Sequence, residues 1–363
     1  MTPQEWSGAR LLVFNLATDI DHPVLGFTTY WVRELARRVG RVEVLTMQKG
    51  RLALPSNVRV HSVGLERGYS KPRRVVEFYK HLGGILREGP VAGCFSHMIT
   101  VFSVLAAPVL RVRGVPLVSW YAHPSRTPTL RMAQWVSDRM VTSLPGSYPY
   151  RSSKVEVIGQ GIDTALFAPA RKPAEEEGLV LCVGRISPVK GHLTLVRALA
   201  RVRRAWRLLI VGATTCREDE AYLDEVLATA ARLQCGGRVT VAPAVPPDLL
   251  PGYFQRCAVH VNLTPKGFGD KVAWEAMSCG RPCVLANADF AGTLGRYQSA
   301  LLFAPGDEAA LAARVEAVLG WSAAERSLVG GYLRGQVERE HSLEGLAGRV
   351  LDVLGSCKGG GRS

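Results

Sequence analysis

Two short stretches combine residue types that handle a charged ligand. The first is Thr264-Pro265-Lys266-Gly267-Phe268-Gly269-Asp270-Lys271-Val272-Ala273-Trp274-Glu275-Ala276-Met277-Ser278-Cys279-Gly280-Arg281-Pro282. It begins as a glycine-bearing loop, continues through good helix formers at Ala273 to Met277, and stops at Gly280 with Pro282 behind it. The first N–H groups of such a helix, expected at Asp270, Lys271 and Val272, lack intrahelical acceptors, and the helix dipole favours an anion there. Gly267 and Gly269 let backbone come close to a ligand. Glu275 lies about one turn into the helix, which puts a carboxylate beside the same anion site. Amides for a phosphate and a carboxylate for a sugar hydroxyl describe a nucleotide-sugar site; a plain loop-to-helix turn has the same local pattern. The second stretch is Gly184-Arg185-Ile186-Ser187-Pro188-Val189-Lys190-Gly191, behind an apolar strand at Leu179 to Val183. Arg185 offers a fork of donors and Lys190 a point charge. Together on one loop they can hold a diphosphate and support negative charge that builds on a departing nucleotide.

These groups need a scaffold that brings strand ends together. Leu11 to Leu16 reads as a buried strand, followed by a loop through Asp19, Asp21, His22, Pro23 and Gly26. Phe27 to Arg38 has helical spacing and Val42 to Thr46 is a second strand. Strand, glycine loop, helix, strand is a Rossmann-like unit with a parallel sheet. The Gly-x-Gly-x-x-Gly fingerprint is absent from its first loop, which argues against a dehydrogenase. Strands at Ala92 to Ser96 and Val115 to Trp120 lead to His97 and to Tyr121-Ala122-His123-Pro124. Both histidines therefore stand just past strand C-terminal ends, where ligands gather in open α/β sheets. In the second half, strands are expected at Leu179 to Val183, Arg207 to Val211, Arg238 to Val241, Ala258 to Leu263 and Pro282 to Ala286. Helices are expected from Leu193, at Ala221 to Leu233, Tyr253 to Cys257 and Ala309 to Leu319, with a last one at Ser342 to Leu354.

The first stretch resembles the signature of the retaining glycosyltransferases of family 4: Gly267-Phe268-Gly269, Glu275-Ala276-Met277, Gly280 and Pro282 match. Asp270-Lys271 with Glu275-Ala276-Met277 fits the branch of that family that reads Asp-Lys, three residues, Glu-Ala-Met. Lys266 stands where the family's first Glu is usual, and one extra residue separates Gly269 from Glu275. The Gly-Arg, four residues, Lys-Gly pattern of Gly184 to Gly191 is a second match, and Ala300 to Gly306 a weaker one.

The resemblance implies an α/β protein of the GT-B fold, with two Rossmann-like domains facing across a cleft. It places an acceptor-binding domain at 1–168, a nucleotide-sugar-binding domain at 169–340, and at 341–363 a helix that returns to the first domain and a disordered tail. It implies a metal-independent hexosyl transfer from a nucleotide-sugar donor to a glycan or lipid-linked acceptor. Arg185 and Lys190 would neutralise the leaving diphosphate, with Gly184 and the amides of Lys271 and Val272 completing the cradle. Glu275 would meet the donor ribose, Asp270 a donor-sugar hydroxyl in place of the missing Glu, and Ala244 and Val245 the base. Gly26 would approach the donor from the first loop, and His97 and His123 would face the transferred sugar or acceptor. An inactive nucleotide-sugar-binding partner and a sugar-nucleotide epimerase on a similar scaffold are the alternatives. No metal motif is found: Asp19-Ile20-Asp21 has the spelling of one but lies in the first loop. Lys266 at the position of the usual Glu bears on sugar selectivity.

Composition sets outer bounds. The 363 residues are 47% hydrophobic and 21% charged, which suits two globular domains. No run of about 18 uncharged apolar residues is present, and no charged-then-apolar leader. Eight scattered cysteines, without a Cys-x-x-Cys pair, read as buried free thiols of a reducing cytosol. Of the net charge of +14, the larger share lies early: residues 1–165 hold 21 Lys+Arg against 11 Asp+Glu. Nucleic acid, an anionic membrane surface or an anionic substrate would each account for that excess, as would an Arg-rich bias without function; with the family resemblance, no nucleic-acid partner is expected. Lys71 to Glu88 is a basic amphipathic stretch that suits a core helix with a solvated face or contact with the inner face of a membrane.

Overall fold

Strands buried on both faces must read as continuous apolar runs, and the runs of this chain pair into two all-parallel sheets. The computed structural model describes residues 1–22, 25–171 and 175–359. They divide into one unit of residues 1–161 and 343 onward, and a second unit of residues 162–342.

The first unit runs α1 (Pro3–Ser7), β1 (Arg10–Thr18), α2 (Thr28–Ala36), β2 (Arg41–Lys49), β3 (Val58–Ser62), α3 (Lys71–Arg87), β4 (Gly93–His97), α4 (Thr100–Val112), β5 (Leu117–Trp120), α5 (Pro128–Val136), β6 (Arg139–Thr142) and β7 (Val155–Val157). Its seven strands lie in the order β3-β2-β1-β4-β5-β6-β7. Alternation along β1 builds both layers: Leu11 and Val13 pack with Trp31 and Leu35 of α2, while Leu12 and Phe14 pack with Phe78 of α3 and Phe102 of α4.

The second unit runs β8 (Leu179–Val183), α6 (His192–Leu199), β9 (Arg207–Val211), α7 (Arg217–Arg232), β10 (Val239–Ala242), α8 (Leu250–Arg256), β11 (Val259–Asn262), α9 (Lys271–Ser278), β12 (Cys283–Leu285), α10 (Ala291–Leu294), α11 (Gln298–Leu301), α12 (Glu308–Gly320) and α13 (Ala323–Glu340). Its sheet order is β10-β9-β8-β11-β12. The last helix, α14 (Leu343–Gly359), belongs to the first unit, where Leu346, Val350 and Leu354 complete the core around Trp31 and Leu35.

Several expectations need correction. The change of unit falls after residue 161, ahead of the expected boundary at 168, because 162–168 are held by second-unit partners. Ile162 bridges to Ser342, and Phe167 packs edge-on against Phe254. The charged stretch that follows, 172–178, lies partly outside the described residues. Two of its three described carboxylates are tied down: Glu175 pairs with Arg281 and Arg326, and Glu176 with Arg207 and Arg256. The tail expected to be disordered from Lys358 begins inside α14, and residues 360–363 lie outside the described residues. Cys216 is exposed before α7 and Cys357 half-buried in α14, so two of the eight thiols escape the expected burial. Unforeseen elements include β3, α5 and α13. The last opens with a Ser322/Glu325 capping box that the spacing Ser-x-x-Glu announces.

The loops after β8 and β9 abut so closely that only glycine fits. A Cβ on Gly212 would stand 1.9 Å from the carbonyl oxygen of Gly184. Gly212→Ala should therefore destabilise the protein by about 1–3 kcal/mol in a urea melt, the range for overpacking. Gly83→Ala, in α3 with open space around it, should stabilise by about 0.5–1 kcal/mol. Equal effects at the two glycines would contradict this account of the packing.

Candidate functional site

In a doubly wound sheet the loops that leave two neighbouring strands in opposite directions open a crevice at their carboxyl ends. In the second unit those strands are β8 and β11. The chain moves from β8 to β9 and β10 on one side, then crosses back to β11 and β12 on the other. The loop after β8 carries Arg185 and Lys190; the loop after β11 ends at Asp270, the residue before α9.

The structure joins these two loops by charge. Lys190 Nζ forms an ion pair with Asp270 Oδ2. The same oxygen accepts hydrogen bonds from Asn262 Nδ2 at 2.7 Å and from Thr264 Oγ1 at 2.6 Å. Gly184 has φ +134°, and a Cβ there would stand 3.1 Å from Lys190 Cε and Nζ, in the space the lysine uses. Burial pushes the Asp270 carboxyl up, but the lysine charge and the three donors outweigh it and hold the group below the usual carboxylate range. Arg185, at the other end of the loop, is exposed and makes no hydrogen bond or ion pair among the described residues. Its charge adds to the hydroxyl of Thr215 in keeping the Asp219 carboxyl low.

At α9 the structure trims the expected anion cradle. The Asp270 N–H is not free: it donates to the Phe268 carbonyl at 2.9 Å, because the loop folds into a turn before the helix. Ala273 N–H donates to the Asp270 carbonyl at 3.2 Å, and Val272 N–H has no protein acceptor among the described residues. Glu275 is 3% exposed, and Lys271 Nζ holds its Oε1 at 2.9 Å, one turn back on the helix. The loop is pinned from outside. Gly267 N–H donates to Asp289 Oδ2 at 2.9 Å, and Asn287 Nδ2 to the Phe268 carbonyl at 3.0 Å. Lys266 is exposed. Ala244 and Val245 follow β10, at the same carboxyl edge of the sheet but two strands from Lys190.

Sequence reasoning missed Asn262, Thr264, Asn287 and Asp289. A polar Asn closing the apolar run Val259 to Val261 was the available signal for the first two. It also missed His192 and His260, both fully buried, with no hydrogen-bond partner on either ring nitrogen. Burial pushes each down to about 4, so both are neutral near pH 7.

In the first unit the equivalent switch lies between β1 and β4. His97 ends β4 inside an aromatic cage, with ring centroids of Trp31 at 4.7 Å, Phe27 at 5.8 Å and Trp120 at 6.2 Å. Burial pushes it down to about 3, so it can exchange hydrogen bonds but supplies no positive charge at pH 7. His123 follows β5, and its Nδ1 accepts the Ser125 N–H at 3.1 Å, which leaves the neutral ring's proton on Nε2. Burial lowers its pKa as well.

Gly26 is required by the first loop itself: a Cβ would stand 2.7 Å from the Ile20 carbonyl oxygen and 2.9 Å from that of His22. Asp19 and Asp21 are engaged by Arg51, the first through its backbone N–H and the second through its guanidinium. The described residues contain no group of three or more His, Cys, Asp or Glu able to hold a metal.

Comparison with known proteins follows this division. Residues 177–320 match the family model described as Glycosyl transferases group 1. The chain is similar to the D-inositol 3-phosphate glycosyltransferase of Segniliparus rotundus, 36% identical over 169 residues, which cover 41% of this chain and 37% of the relative. It is 30% identical over 246 residues to the enzyme of that name from Acidothermus cellulolyticus, covering 61% of this chain and 52% of the relative. The chain thus spans between about a third and a half of the length of these curated relatives. Among solved structures, Anabaena HepE in complex with UDP superposes with a TM-score of 0.74 at 18% identity, over 96% of this chain and 100% of HepE. Sucrose-phosphate synthase from Thermosynechococcus elongatus superposes at 0.72 with 17% identity, over 96% and 98%. At these identities the likeness shows the fold, which is GT-B, built of two Rossmann-like units.

Proposed function

We propose that the protein is a glycosyltransferase that takes a hexosyl group from a nucleotide-sugar donor bound at the carboxyl edge of the second sheet. One observation carries the proposal: Lys190, fixed by Asp270 at the switch point, and Arg185, exposed on the same loop and unpaired among the described residues, give two cations where a diphosphate would lie. As the bond between sugar and diphosphate breaks, negative charge grows on the leaving phosphate oxygens. Cations already in place need no reorganisation to meet it. The Val272 amide at the start of α9 adds a donor aligned with the helix dipole.

With this charge supplied by side chains, the proposed transfer needs no metal. A retaining outcome belongs to the proposal through the motif resemblance. UDP, the nucleotide of the HepE complex, is the first to try. The acceptor proposed is a hydroxyl on an anionic molecule, either a phosphorylated polyol as in the relatives' name or a lipid-linked glycan. The basic excess of residues 1–165 supports it.

A thermal-shift panel of nucleotide sugars tests the donor site. A ligand at 100 times its Kd stabilises by about 2.7 kcal/mol. One sugar nucleotide should raise the melting midpoint of the wild type and leave Lys190→Ala unmoved, with turnover lost in Lys190→Ala and Arg185→Ala and unchanged by EDTA. No shift from any of them would contradict the proposal. Binding without turnover would favour an inactive partner, and nucleotide release without a glycoside product an epimerase or hydrolase.

The first unit adds a surface to the proposal. On α3, Val75, Val76 and Tyr79 are exposed beside Lys71, Arg73, Lys80 and Arg87. Tyr79 donates to the Leu105 carbonyl of α4, and α4 packs on α5, where Trp135 is 75% exposed and Met132 is exposed as well. Apolar side chains among exposed cations suit an anionic lipid surface. No described helix is long and apolar enough to cross a membrane. Sedimentation with vesicles should show binding to phosphatidylglycerol and not to phosphatidylcholine, weakened several-fold by Val76→Asp and by Trp135→Asp. Equal binding to both vesicle types would overturn this part.

A further inference from the structure

Asp270 stands where a carboxylate would be asked to meet the donor sugar, yet its oxygen Oδ2 is already crowded. It takes Lys190 Nζ, Asn262 Nδ2 and Thr264 Oγ1. Its backbone is fixed too, with its N–H on Phe268 and its carbonyl on Ala273. It stands before α9 without capping the helix, because its side chain points to the lysine instead. Gly184 clears the volume through which Lys190 reaches it. Three side chains, one from the end of β11 and two from the loops, thus converge on one atom whose net effect is to fix an ammonium.

We infer that Asp270 acts through Lys190, as the residue that positions its ammonium for a nucleoside diphosphate, and not as a ligand of the donor sugar. The inference rests on the proposed donor site and assigns a division of labour within it. Arg185 is the exposed cation that meets the diphosphate from the solvent side, and Lys190 is the one held by a carboxylate. The other titratable groups around Lys190 are electrically silent near neutrality. Burial pushes Cys182 on β8 up to about 12, and His192 on α6 and His260 on β11 down to about 4. Glu275, one turn along α9, is already paired with Lys271. Asp270 is therefore the one anion in this group that pairs with the lysine ammonium.

Three readouts test this. Titration of Lys190 followed by ¹³Cε NMR, its signal assigned with Lys190→Arg, needs no ligand. Asp270→Asn should move the measured lysine titration to lower pH, while Asp270→Glu, which keeps the charge, should leave it where the wild type has it. Calorimetric titration with UDP and with UDP-glucose at pH 7.5 separates the two roles. Asp270→Asn should weaken both by the same factor, about tenfold, and the alkaline limb of UDP affinity should move to lower pH with the lysine. In a Lys190→Met background, Asp270→Asn should add less than twofold, since a residue that acts through its partner has nothing left to act on. This neutral pair also leaves no buried unpaired charge, so it keeps the comparison open if Asp270→Asn alone unfolds. An unmoved Lys190 titration, or a loss confined to UDP-glucose with UDP unaffected, would overturn the inference. If the wild type binds neither nucleotide, it is the donor-site proposal that fails, and the NMR titration still decides the part played by Asp270.

Discussion

The partly buried ion pair between Lys190 and Asp270 is the contact on which the second unit's site depends. It ties the loop that leaves β8 to the loop that leaves β11, the two strands whose connections diverge. Two charges drawn out of water are costly unless their hydrogen bonds are satisfied. Asn262 and Thr264 satisfy the carboxylate, and Gly184 leaves room for the lysine stem. The sheet's order is thus what makes the pair possible, and the pair is what keeps a cation at the crevice.

The same economy of charge runs through α9. Lys271 and Glu275 neutralise one another one turn apart, and the loop before the helix is pinned by Asn287 and Asp289. Histidines near the loop are buried and neutral. The net effect is a region in which, among the described residues, Arg185 and Lys266 are cations without a partner and Val272 is an amide without an acceptor. An anion that arrives there meets donors that the protein has not already used. In the first unit the corresponding switch point is aromatic rather than charged, and His97 sits in it as a neutral ring.

Much of this was legible in the chain. The strand Leu179 to Val183 is a continuous apolar run between glycines, and Arg207 to Val211 is an arginine followed by four apolar residues that end at Gly212; both fold as read. Arg185 and Lys190 could be placed because their loop is short and bracketed by Gly184 and Gly191. β3 was missed because Val58-Arg-Val-His-Ser62 alternates and is only half-buried, and α5 because Thr127-Pro128 reads first as a turn. What sequence could not give is which polar side chains meet. The resemblance gives Asp270 a donor-sugar hydroxyl, and the structure adds a partner 80 residues away on another loop. Only the strand order brings the two together. Similarly, the resemblance brings Gly26 near a ligand, and the loop's own packing requires glycine there as well.

Hydrogen–deuterium exchange with and without UDP is the most direct measurement of the central claim, since it reports where the nucleotide sits without any substitution. Slowed exchange at residues 184–191 and at the start of α9, including the Val272 amide, is the expected result. UDP binding that leaves these amides unchanged and protects the first unit instead would contradict the placement of the diphosphate between Arg185, Lys190 and α9.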